Sequence, residues 1–192
     1  MEITLHDAMT VIHGIVFGAF LLLAYSGLAA GLYATTLSRN PWVLSPGEKR
    51  AFSLYFATMA ALAWAAVIFG AYVIYPWYRA KLPPGVIDLS AYPRQFLTSN
   101  PSTTGWHDIG MEWKEHFAWF APICLTAAAV VFAQYGSRLR GLSGLRSAVI
   151  GLCAIAFVAT GVAGFFGAML NKYAPVRGGA TIVLMRGETH GR

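Results

Sequence analysis

Residues 8–35 read AMTVIHGIVFGAFLLLAYSGLAAGLYAT and hold no Asp, Glu, Lys or Arg. A helix crosses the hydrocarbon core of a bilayer with about 20 mostly apolar residues. In lipid each backbone polar group must be satisfied within the protein, so an isolated apolar run of this length spans as a helix. Working outward, residues 52–75, 116–135 and 147–170 are likewise free of Asp, Glu, Lys and Arg. The reading is an all-α integral membrane protein, a four-transmembrane-helix up-down bundle forming a single membrane domain over residues 1–192. A long outer loop, 79–115, joins helices two and three, and a tail, 171–192, follows the last span.

Composition agrees. Hydrophobic residues make up 57% of the chain and charged ones 11%, where a soluble domain carries about 25% charged residues. The net charge of +6 is not a nucleic-acid footprint, because the positives sit beside apolar runs and form no basic stripe with interleaved aromatics. They report orientation instead. Arg39, Lys49, Arg50, Arg138, Arg140 and Arg146 crowd the two short loops, opposed by Glu48 alone. Short loops rich in Lys and Arg stay in the cytoplasm. The expected location is therefore a bacterial inner (cytoplasmic) membrane, with both termini and the long loop periplasmic. The acidic start, with Glu2 and Asp7, is unlike a cleavable signal, which opens on basic residues. Cys124 and Cys153 lie inside spans, outside any CxxCH or CxxC pattern, and read as small buried apolar residues. Gly14 and Gly18, Gly27 and Gly31, and Gly161, Gly164 and Gly167 read as close-packing positions between helices.

Chemistry concentrates in histidine. His190 falls in the tail; His6 and His13 open span one, and His107 and His116 open span three. Spans one and three run in the same direction, so all four point to one membrane face. If the helices start near Leu5 and His107, His13 and His116 lie at similar depth, roughly 12–14 Å below those starts. His13 stands among Val11, Ile12, Ile15 and Val16. An ionisable residue inside a span is costly and is by default a candidate for function. Neutral imidazole is also a common haem or metal ligand, and Gly14 and Gly18 leave room for a flat macrocycle. The expectation is a haem b with His13 and His116 as ligands to its iron, bound near the outer face. The plainer alternative has His13 bonding a neighbouring helix or a water.

Trp106-His107-Asp108 and Glu112-Trp113-Lys114-Glu115-His116 support another alternative. Asp108, Glu112 and His116 fall at i, i+4, i+8 and share a helix face. With His6 and His107 they form a possible set of ligands for a transition metal ion. Trp106, Trp113 and Trp119, and Tyr75-Pro76-Trp77-Tyr78-Arg79 at the end of span two, read first as interfacial aromatics.

Four spans with histidines directed at one cofactor plane resemble the small four-helix membrane b-type cytochromes. The resemblance implies an electron-transfer subunit of a respiratory or related redox complex, working with other membrane or periplasmic redox subunits and with quinone. Spans two and four hold no histidine, which sets this chain apart from two-haem members and argues against electron transfer across the whole bilayer. The competing expectation is a non-catalytic accessory subunit of a respiratory or photosynthetic complex. Neither reading makes the chain a stand-alone enzyme.

Overall fold

The structure is a computed structural model and describes residues 2–37 and 41–183; Arg39, counted above for orientation, and the tail histidine His190 lie outside them. Four long apolar helices dominate: Leu5–Leu37, Pro46–Tyr78, Pro101–Gly141 and Ser143–Tyr173. They have 33, 33, 41 and 31 residues, so at 1.5 Å per residue they are about 47 to 62 Å long. A hydrocarbon core is about 30 Å thick. Each helix therefore projects beyond the lipid, the third furthest.

These projections account for the differences from the spans read in sequence, where only the charge-free segments are visible. Local signals set the true ends. Thr4 caps the first helix: its hydroxyl accepts from the Asp7 amide at 3.1 Å, and the Asp7 carboxylate accepts from the Thr4 amide at 3.2 Å. Ser45 and Glu48 form the same reciprocal pair ahead of the second helix, with Pro46 in its first turn. Both are capping boxes, each satisfying amides that a helix start leaves without partners. The third helix begins at Pro101, six residues before the start near His107 read in sequence. Asn100 caps it by accepting from the Ser102 amide at 2.9 Å, while the Thr103 hydroxyl donates to the Leu97 carbonyl instead. The segment expected as one long outer loop is thus partly helical, with Pro93–Thr98 forming a further short helix.

All four long helices meet in one apolar core. Leu21, Tyr25 and Leu28 of the first, Phe56, Met59 and Ala63 of the second, Leu125, Ala128 and Phe132 of the third, and Val149, Cys153 and Ala156 of the fourth are buried together. Small residues permit the close approach: a Cβ on Gly27 would lie 2.5 Å from the Tyr55 hydroxyl, and one on Gly31 2.9 Å from the Phe52 ring. Yet only 17–33% of each helix's most apolar stretch is buried inside the protein. Leu23, Leu54, Ile123, Val158 and Phe165 face outward. In water such a surface would drive aggregation, and a bilayer is the solvent that accepts it.

A second, smaller cluster caps the opposite end. Tyr78, Leu97, Met111, Leu170, Ala174 and Val176 are buried there, with Ile74, Trp77 and Trp106 against them. A two-stranded antiparallel ribbon closes this cap. β1 (Glu2–Thr4) pairs with β2 (Thr181–Val183), with Ile3 opposite Ile182. The ribbon puts the two described ends of the chain side by side. The sequence reading contained no strand.

Candidate functional site

Between the two apolar clusters lies a cavity of about 800 Å³, within the usual range of small-molecule and cofactor sites, about 300–1,000 Å³. Leu21 and Ala63 belong to the core at its base, and Tyr78, Met111 and Leu170 to the cap above it. Its walls also carry His13, Gly14, Gly18, Gly70, Lys114, Glu115, His116, Gly164 and Gly167. His13 and His116, and the glycines Gly14 and Gly18, thus stand on one cavity.

The helices that build it change their winding there. Backbone bonding shifts from i→i+4 to i→i+5 over Ile12–Ala19 in the first helix, Gly70–Ile74 in the second, and Trp106–Met111 and Trp113–Phe117 in the third. Such widened turns are rare and are found mostly at functional sites. Here they coincide with the cavity wall: His13, Gly14 and Gly18 come from the first, Gly70 from the second, and Lys114 and His116 from the last.

His13 reaches across to the second helix. Its ring lies against Gly70, where a Cβ would come within 2.9 Å of Cε1 and 3.4 Å of Nε2. Phe69 stacks on it at a centroid distance of 6.2 Å. Its Nδ1 is buried and has no hydrogen-bond partner. A buried polar atom left unsatisfied costs about 1–3 kcal/mol, so this nitrogen marks a place where the fold lacks a partner. Gly70 drew no attention in sequence, because glycine is frequent in apolar spans; what singles it out is the imidazole packed on it.

His116 is the reverse case. Its side chain is about two-thirds exposed, and its Nδ1 lies 3.0 Å from the Glu112 carbonyl oxygen and 3.4 Å from the Glu112 carboxylate. A carbonyl only accepts, so Nδ1 donates and carries the proton, leaving Nε2 with its lone pair free. That second-sphere bond is the one that orients ligating imidazoles in general.

The other two histidines serve the cap. The His6 ring stacks on Trp77 at 3.8 Å, and its Nδ1 donates to the Arg177 carbonyl at 3.0 Å. His107 Nδ1 is hydrogen-bonded to the Tyr78 hydroxyl at 2.9 Å. Neither lines the cavity. Asp108 instead accepts from Thr104 at 3.4 Å. The alternative ligand set of His6, His107, Asp108 and Glu112 is therefore not drawn together. Among the described residues no three His, Cys, Asp or Glu side chains are arranged to hold a metal ion. The i, i+4, i+8 spacing presumed α winding, which the widened turns at Trp106–Met111 and Trp113–Phe117 do not keep, and the imidazoles meant to complete the shell are spent on Trp77 and Tyr78.

The aromatics also turn inward. Trp106 stacks on Tyr173 at 5.7 Å, and Trp113 on Phe117 at 4.6 Å. Trp119 lines the cavity and donates to the Glu115 carbonyl at 3.1 Å. Tyr75 accepts from Arg79 at 2.6 Å, and this bond holds the guanidinium pKa above its already high ordinary value. Lys114, read in sequence as part of the outer loop, is the functional candidate that reasoning missed. Comparison with protein-family models, with curated proteins and with solved structures finds no match.

Proposed function

We propose that this chain is a membrane subunit that holds one b-type haem in the cavity between its four spans, with His13 and His116 as the residues that would hold its iron. It passes electrons between a quinol or a redox partner and another subunit of a respiratory or related redox complex. The spans form an up-down bundle in a bacterial inner membrane, with the cavity, both termini and the segment joining helices two and three on the periplasmic side. The observation that carries the reading is the presence on one cavity of an imidazole whose buried Nδ1 has no partner and a second imidazole whose Nε2 is free.

The residues present fit the group. The cavity has the volume of a cofactor site, and Gly14 has nothing within 4 Å of where its Cβ would be, so a flat ring system meets no side chain there. When bound, a haem held by two imidazoles would supply a one-electron couple. The protein's part is positional. Gly70 and Phe69 fix the plane of the His13 ring, and the Glu112 carbonyl keeps the His116 proton on Nδ1. Apolar residues from all four helices line much of the cavity, and the apolar surroundings of a site are one of the means by which a protein sets a cofactor's potential.

The test is optical. The full chain, purified in mild detergent after expression with haem supplied, is expected to show a Soret band and a reduced-minus-oxidised α-band. His13→Ala and His116→Ala each abolish them, while His6→Ala, outside the cavity, retains them. A colourless protein that co-purifies with other membrane subunits would contradict the haem reading in favour of an accessory role.

A further inference from the structure

We propose that Lys114 is a carboxylate-binding residue: its ammonium holds a carboxylate carried by the amphiphile that fills the cavity. Lys114 projects from the widened turn Trp113–Phe117 of the third helix towards the fourth. There a Cβ on Gly167 would lie 2.8 Å from its Nζ. The missing side chain at Gly167 is what gives the ammonium its place on the cavity wall. Among the described residues Lys114 has neither an ion pair nor a side-chain hydrogen bond. The acids nearest in sequence do not serve it, since Glu112 faces His116 and Asp108 takes the Thr104 hydroxyl. Glu115 lines the same cavity without pairing to Lys114.

An ammonium withdrawn from bulk water without a counter-charge is costly. Gly18, Ala63, Gly164, Gly167 and Leu170 of the same cavity wall offer no anion, and Glu115, its one carboxylate among the described residues, makes no ion pair with Lys114. The complement of one cation at the edge of an apolar chamber is a molecule with an apolar body and a carboxylate. Two sources share that chemistry. A porphyrin propionate is one, and it rests on the haem reading above. A fatty-acid carboxylate is the other and does not depend on it.

Acid and ester forms of each probe separate these sources. The full chain in detergent is titrated with haem b and with haem b dimethyl ester, followed by Soret absorbance. A fluorescent polyene fatty acid and its methyl ester are titrated in parallel. A hydrogen bond between two charged groups is expected to make the acid bind about 10- to 100-fold more tightly than the ester. That gap should vanish in Lys114→Met, whose side chain has similar length, and persist in Lys114→Arg. A gap on the haem pair supports both proposals. A gap on the fatty-acid pair alone, with no haem bound, keeps the role of Lys114 and removes the haem. Haem binding with equal affinity for acid and ester overturns the role of Lys114 and leaves the haem standing. Absence of a gap in both wild-type pairs overturns the proposal even if the Met variant fails to fold.

Discussion

His13 and Gly70 are two halves of one feature. The imidazole occupies the space a side chain at position 70 would take, with Cε1 only 2.9 Å from the missing Cβ. Gly70→Ala therefore forces the ring aside. Overpacking of this kind costs about 1–3 kcal/mol, which at 1.4 kcal/mol per tenfold is about a 5- to 150-fold loss of haem affinity. Soret titration of the variant measures it, and unchanged affinity would show that the ring's place on Gly70 is immaterial. In sequence His13 is conspicuous because its immediate neighbours, Val11, Ile12, Ile15 and Val16, are all apolar. Gly70 was not, since only its partner across the helix pair gives it meaning. Lys114 was passed over for a similar reason. Its neighbours Glu112, Glu115 and His116 made the stretch read as outer loop and candidate metal ligands, and the space left by Gly167 is invisible without the fourth helix.

At the scale of the elements, the spans were legible because lipid tolerates few charges, and their ends were not because the helices continue into water. Beyond the lipid, capping chemistry decides. Thr4→Ala removes the acceptor of the Asp7 amide and the donor to its carboxylate. Loss of such a cap costs about 1 kcal/mol, so amide exchange over residues 5–8 should rise about fivefold. Hydrogen exchange read by mass spectrometry checks this, and unchanged protection would mean that the ribbon alone holds the start of the helix. The widened turns left no trace in sequence. A segment such as Ile12–Ala19, apolar on nearly every side, carries no periodicity that distinguishes one winding from another. Three-residue strands such as β1 and β2 are too short to show alternation.

For the whole molecule, the ribbon requires that both described ends of the chain lie on one face, beside the cap and the cavity. The proposed topology puts that face in the periplasm and the basic short loops in the cytoplasm, following the rule that short loops rich in Lys and Arg stay inside. Single cysteines in a Cys124→Ser, Cys153→Ser background test the assignment. Ser90→Cys, in the exposed segment between helices two and three, should react with a membrane-impermeant thiol reagent in intact spheroplasts. Ser137→Cys, beside Arg138 and Arg140, should react only after lysis. The reverse pattern would invert the topology and place the cavity on the cytoplasmic side. The overall division of the molecule into an apolar core, a cavity and a closing cap was only half legible. Four spans and a cluster of histidines at one end follow from residue order, whereas the cap depends on Val176 and Ala174 folding back against Tyr78 and Leu97.

The central claim is that the cavity holds one haem between His13 and His116. The most direct measurement is the haem-to-protein ratio of the purified full chain, with haem determined as its pyridine adduct and protein by amino-acid analysis. One haem b per chain, falling to near zero in both His13→Ala and His116→Ala while the variants keep their helical circular dichroism, is the predicted result. No haem in the wild type, or one haem retained in either variant, would contradict it.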